Sequence, residues 1–299
     1  RTSVFDRTSQ EIRKSSGVVT SEQEQVPFAD VNEISIMKIL DHPNVVKMRS
    51  IFDDVENDRL YIVVEFVACG PVMSSSRLTG AQPLREDRVR EIFVDVFAGL
   101  QYLHYNGIVH RDLKPDNLLK AGDQTVKISN FGAARLYEDV PDKSNDEDTG
   151  LPNYRTTVGT PAFTAPELCL SEKSPPAPVQ SFAADIWSLG ATLYYMLYGR
   201  APYFAKSVFE MYDAICTQPL EFPELPKTSR HVRDLMSDMM ERLPEKRATF
   251  ERILCSPWLR EDAELRERVA ELIQIAKQHE RQSHGSRDDA SCNVRTNEL

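Results

Sequence analysis

From Asp30 to Leu40 the apolar residues Val31, Ile34, Met37 and Leu40 recur every three positions, which marks one face of a helix, and Asp41-His42-Pro43 stops it. Two segments rich in β-branched residues follow, Val45 to Phe52 and Leu60 to Phe66, separated by the polar run Asp53-Asp54-Val55-Glu56-Asn57-Asp58. They predict an antiparallel hairpin. From Pro71 to Pro83, Gly80, prolines and a serine run break the periodicity. The spacing of Val89, Ile92, Phe93, Val96, Leu100 and Leu103 then predicts a long helix from Arg85 to Tyr105, ended by Asn106-Gly107. Later periodic segments are mostly helical. Strands first and helices later give an α+β class with a small sheet lobe and a larger helical lobe.

The flanks have a different texture. Residues 1–27 are rich in Ser, Thr, Glu and Gln without a clear period and read as a flexible lead. Residues 137–153 carry Glu138, Asp139, Asp142, Asp146, Glu147 and Asp148 with two prolines, the mark of a long acidic loop. Leu265, Val269, Leu272, Ile273 and Ala276 predict a further helix, followed by a polar tail expected to be disordered. The expected division is a lead at 1–27, a partial small lobe at 28–67, a hinge and large lobe at 68–260, a C-terminal helix at 261–283 and a tail at 284–299.

Composition narrows the partners. With 36 Lys+Arg against 46 Asp+Glu the formal charge is −10, which disfavours nucleic acid or an anionic membrane as the main partner. The five cysteines are odd in number and lack CxxC spacing, so neither a disulfide framework nor a zinc site is expected. No apolar run approaches the roughly 18 residues of a membrane span, and the expected location is cytoplasmic. The first residue is Arg1 rather than methionine, and the chain is read as processed or as a fragment.

The informative string is Ile108-Val109-His110-Arg111-Asp112-Leu113-Lys114-Pro115-Asp116-Asn117-Leu118-Leu119. It sets a carboxylate, an ammonium and an amide close together in a loop pinned by apolar residues. Phosphoryl transfer needs such a set: a carboxylate for the substrate hydroxyl, a cation near the migrating group and an oxygen for Mg²⁺. With these residues the chain resembles the eukaryotic serine/threonine protein kinases from about Asp30 to about Arg260. Gly159-Thr160-Pro161-Ala162-Phe163 and Ala165-Pro166-Glu167 resemble the peptide-docking loop and its anchor. Asp185-Ile186-Trp187-Ser188-Leu189-Gly190 is similar to the family's buried central helix, and Arg247 to the usual partner of Glu167. Leu40-Asp41-His42-Pro43-Asn44-Val45-Val46, Gly70-Pro71-Val72-Met73 and Thr157 to Phe163 are most similar to the calcium/calmodulin-dependent protein kinase kinases.

The resemblance implies a two-lobed kinase fold, ATP and Mg²⁺ as cofactors, and a protein substrate, another kinase among the candidates. It implies Asp112 as catalytic base, Lys114 at the γ-phosphate, and Asn117 and Asn130 at the metal. It further implies Val64 as gatekeeper, the Glu65 carbonyl and Val67 amide on the adenine edge, Leu119 beneath the ring, and Glu33 as partner of an ATP-binding lysine. Glu33 also fits a capping box with Asp30. Thr156, Thr157, Thr160 and Glu167 belong to the activation segment, where the acidic loop competes with phosphorylated threonine as the anion for Arg111. His110 is expected in the core. The mixed charge around Leu265 to Ala276 suits a docking helix better than a calmodulin target, so calmodulin ranks as a weak partner.

Two departures stand against these matches. Among twelve glycines there is no Gly-x-Gly, and no Val-Ala-x-Lys strand precedes Glu33. Glu33 is therefore expected to lack its partner, the chain is read as starting inside the small lobe, and alone it is expected to be inactive. Ser129-Asn130-Phe131-Gly132 stands where the family has Asp-Phe-Gly, giving Mg²⁺ a neutral oxygen instead of a carboxylate. The alternative reading is a pseudokinase scaffold.

Overall fold

The computed structural model describes residues 2–6, 28–54, 59–137, 159–169, 182–261 and 267–272. The small lobe holds β1 (Thr2–Asp6), α1 (Phe28–Ile39), β2 (Met48–Asp54) and β3 (Arg59–Val64). The hairpin forms as an antiparallel pair with Phe52 opposite Tyr61. Its boundaries differ from the sequence reading at both outer ends. Val45 leaves the hairpin to make a parallel bridge with Ile128 of the large lobe, and the strand ends at Val64, before Phe66.

The lead is not wholly irregular. Thr2–Asp6 pairs antiparallel with β3, giving the sheet order β1-β3-β2. The five residues Thr-Ser-Val-Phe-Asp are too few to show a period, whereas β3 offers a free edge that can satisfy their backbone groups. The rest of the lead, the acidic residues Glu138 to Asp148 and the tail lie outside the described residues.

The large lobe packs on two helices. The 20-residue α2 (Glu86–Tyr105) turns Val89, Ile92, Phe93, Val96, Leu100 and Leu103 into the core, as their spacing requires. α3 (Phe182–Tyr198) is buried on every side over most of its length, so it reads as a continuous apolar run rather than a stripe. Short strands β4 (Ile108–Val109), β5 (Leu118–Lys120), β6 (Val126–Ile128) and β7 (Arg135–Leu136) form two antiparallel pairs, β4 with β7 and β5 with β6. The helices α4 (Val208–Thr217), α5 (Arg230–Met239), α6 (Phe250–Leu254) and α7 (Pro257–Arg260) complete the lobe. Residues 267–272 form a further helical segment, within the predicted C-terminal helix. No helix among the described residues is long and apolar enough to cross a membrane.

Candidate active site

The loop between β4 and β5 is held by its backbone. Asp185, fully buried on α3, accepts the amide of His110 at 2.8 Å and that of Arg111 at 2.9 Å, and meets His104 Nε2 at 2.9 Å. Burial by itself pushes the Asp185 carboxyl up, but His104, His110 and the Arg111 amide outweigh it and hold the group below its ordinary range. These contacts fix a strained turn, with Arg111 at φ 69°.

His110 is a core residue. Its Nδ1 faces the Asp112 amide at 3.3 Å and its Nε2 faces the Ser129 carbonyl at 3.1 Å, a pattern for neutral imidazole donating from Nε2. Its ring meets Phe131 edge-on at 5.4 Å. Burial holds its pKa below the usual 6.5, so an unfolded chain takes up the proton first. Unfolding free energy should therefore fall as pH drops below 6.5, by up to about 1.4 kcal/mol per unit from this site. Denaturant unfolding between pH 7 and 5 measures it, and a smaller slope in His110→Leu assigns it.

Five of the expected residues converge. The Asp112 carboxylate receives Lys114 Nζ at 3.0 Å and Asn117 Nδ2 at 3.0 Å on Oδ2, and the Thr160 hydroxyl at 3.0 Å on Oδ1. Lys114 Nζ also reaches Thr160 Oγ1 at 2.5 Å. Thr160 arrives because Gly159, at φ 110°, passes close over the loop: a Cβ there would lie 2.7 Å from the Arg111 carbonyl oxygen. On the other side Asn130 Nδ2 donates to Asn117 Oδ1 at 3.2 Å. Asn130 adopts φ 68°, a conformation that asparagine tolerates better than most residues.

As a seat for Mg²⁺, Asn117 and Asn130 supply amide oxygens, which are hard donors of the right kind but neutral. Among the described residues no cluster of three His, Cys, Asp or Glu could hold a metal. The pair fits a Mg²⁺ that keeps most of its ligands from water and phosphate, once the hydrogen bond between the two side-chain amides opens.

The remaining expected residues separate into three places. Leu119 bridges Pro71, and the Val72 amide donates to the Leu118 carbonyl at 2.7 Å, so this strand lies beside the chain leaving β3 at Val64, Glu65 and Val67. The Glu65 side chain accepts from the Lys47 amide and from Lys127 Nζ, both at 2.9 Å. Glu33 is buried on α1 and engaged within the fold. A Cβ on Gly132 would lie 3.6 Å from its Oε2, which places its carboxylate beside the Asn130 loop. Glu167 stands apart in a buried bidentate pair with Arg247, at 2.7 and 2.8 Å. Thr156 and Thr157 lie outside the described residues.

Sequence reasoning quoted Asp185 only as part of a helix motif and missed its grip on the loop. The signal was a carboxylate inside an otherwise apolar helix. It also missed Asp116, whose carboxylate accepts the Ser75 amide at 3.0 Å and the Ser75 hydroxyl.

Comparison with known proteins supplies the family. The protein kinase domain model matches residues 12–259, reaching further into the lead than the motifs did. The chain is 39% identical over 226 residues to serine/threonine-protein kinase ssp1 of Schizosaccharomyces pombe, covering 76% of this chain and 34% of that protein. It is 34% identical over 257 residues to SNF1-activating kinase 1 of Saccharomyces cerevisiae, covering 76% and 22% respectively. It is 36% identical over 236 residues to serine/threonine-protein kinase GRIK2 of Arabidopsis thaliana, covering 79% and 54%. The chain thus spans between about a fifth and about half the length of these relatives. With the two lobes, the loop on Asp185 and a match over most of its length, the chain belongs to the protein kinase domain family.

Proposed function

We propose that the chain carries the catalytic lobe of a serine/threonine protein kinase that transfers the γ-phosphoryl group of ATP to a protein hydroxyl. One observation carries this reading: Asp112 already accepts an alcohol hydroxyl, that of Thr160, at 3.0 Å, with the Lys114 ammonium 3.0 Å from its other oxygen. A substrate serine or threonine presented to the same carboxylate is oriented for attack and passes its proton to Asp112 as its oxygen bonds to the γ-phosphorus and ADP leaves. Lys114 draws the negative charge of the phosphoryl oxygens, and Asn117 holds Asp112 in place through Nδ2. The Glu65 carbonyl and the Val67 amide take the adenine edge, with Val64 behind it and Leu119 below. Mg²⁺, held at Asn117 and Asn130, would neutralise charge on the phosphates.

The substrate is proposed to be another kinase. The relative named SNF1-activating kinase 1 supports this, as do the motifs similar to kinase kinases. A cytoplasmic location and a docking rather than calmodulin-binding role for the C-terminal helix belong to the same proposal.

The test joins this chain to a Gly-rich loop and lysine strand taken from one of the relatives. Phosphorylation of serine or threonine peptides that requires Mg-ATP and falls at least a hundredfold in Asp112→Ala is the expected result. A joined protein that binds nucleotide yet phosphorylates nothing would favour the scaffold.

Arg111 supplies a second test. Burial, and next to it the charge of Arg135, lowers its pKa against the opposing charge of Asp185, so the cation calls for a further anion. The acids Glu138 to Asp148 are proposed to provide it. Neutralising all six should lower activity of the joined protein, and Thr156→Ala with Thr157→Ala should not; the reverse pattern would assign the switch to phosphorylation.

A further inference from the structure

The family match ends at residue 259, but the packed structure continues past it. In the helical segment 267–272, Val269 is only 3% exposed and joins the main core, and Leu272 packs against that core. Beside them Arg268 Nη2 donates to Asp95 Oδ1 at 2.5 Å. Asp95 sits on α2 and is 7% exposed, too buried for a carboxylate to stand without partners. Its second oxygen accepts the Val126 amide at 2.9 Å.

That amide lies at the near end of the strand that leads to Asn130. Val126 opens β6, and four residues later the chain reaches Asn130. The three-residue strand is bonded along both edges and moves as a unit: it pairs with β5, the Asn44 side chain donates to the Val126 carbonyl at 2.9 Å, the Ile128 amide donates to the Asn44 carbonyl at 2.8 Å, and the Val46 amide donates to the Ile128 carbonyl at 2.9 Å. At its far end the Ser129 amide and hydroxyl both donate to the Asn117 carbonyl at 2.9 Å. Asp95 thus holds the near end of a rod whose far end sets the Asn130–Asn117 contact. The charge on Asp95 is balanced by Arg268, a residue beyond the matched domain.

The pair borders an open cavity of about 380 Å³ that is also lined by Arg88, Glu91 and Asp123. Arg88 is already engaged by Glu91 and Gln124. Removing Arg268 leaves the Asp95 carboxylate to turn toward water in this cavity, away from Val126.

We propose that Asp95 is a positioning residue through which the segment 267–272 sets the place of β6 and Asn130, so that a helix outside the family domain tunes nucleotide binding. The inference rests on the nucleotide site proposed above. Two readouts keep the two ideas apart: amide hydrogen exchange of residues 126–130, which needs no ligand, and the affinity for ADP with Mg²⁺. Both are measured on the full chain.

In Arg268→Glu, exchange at 126–130 should rise at least tenfold and ADP affinity should fall at least threefold, with α3 amides unchanged. Arg268→Lys should restore both. If Arg268→Glu does not fold, Arg268→Met removes the cation and keeps the stem. The coupling is overturned if 267–272 exchanges freely while 126–130 keeps its protection, or if α3 loses protection to the same extent, which marks a general loss of stability. Faster exchange at 126–130 in a protein that never binds ADP leaves the coupling standing and removes the nucleotide reading. Unchanged ADP affinity beside faster exchange overturns the claim that the helix tunes the site.

Discussion

Arg247→Met should cost about 3–5 kcal/mol of folding free energy. Both side chains of the Arg247–Glu167 pair are 0% exposed. The guanidinium also donates to the carbonyls of Ala183, Glu241 and Arg242 and lies 5.3 Å from the Trp187 ring centroid. Removing it strands an ionised carboxylate away from water and takes a donor from three carbonyl oxygens. Most of that cost is the stranded charge and not the worth of the pair, so Glu167→Leu added to Arg247→Met should recover a large part of the loss. As a comparison, Arg252 and Asp238 form an ion pair with side chains 57% and 40% exposed, and Arg252→Met should cost under about 1 kcal/mol. Denaturant unfolding measures all three. A loss for Arg247→Met no larger than that for Arg252→Met would mean that the buried pair is not what anchors this segment.

The second large effect concerns the metal. Asn130→Asp should raise the affinity for Mg-ADP at least tenfold, worth about 1.4 kcal/mol, because it gives the cation a charged oxygen in place of an amide. The same change should weaken the protein slightly when no metal is present. Asn130 Nδ2 now donates to Asn117 Oδ1, and a carboxylate there would face that oxygen without a proton between them. The two effects have opposite sign and are read by calorimetry and thermal unfolding with Mg²⁺ and with a chelator. If neither affinity nor the metal dependence of unfolding moves, the native amide is adequate for the cation.

Much of this was legible in the sequence where local patterns decide the structure. The stripe from Val89 to Leu103 fixes α2 because a helix with six apolar positions on one face has only one way to bury them. The string His110 to Asn117 showed its chemistry because its residues are neighbours in the chain. What escaped was non-local. Val45 has the composition of a strand and is drawn off by Ile128, 83 residues away. Thr2–Asp6 becomes a strand only because β3 has an open edge. Thr160 meets Lys114 across 46 residues, a contact no spacing rule contains.

The grip of Asp185 on the loop has a consequence for what substitutions the site can absorb. The carboxylate takes hold of two main-chain amides, His110 and Arg111, and every residue but proline offers the same amide. The hold on the loop at these two positions is therefore made through the main chain, although the buried His110 ring and the φ of 69° at Arg111 still restrict which side chains fit there. An exchange at Arg111 that tolerates this φ can retune the demand for an anion while the Asp185 contacts persist, whereas an exchange at His110 also removes the acceptor of the Asp112 amide. Asp185 has no such latitude: a shorter, longer or uncharged side chain on α3 would shift every group the loop displays at once. A lineage descended from this chain would be bound to a single choice at Asp185, because one side chain carries two main-chain contacts of the loop.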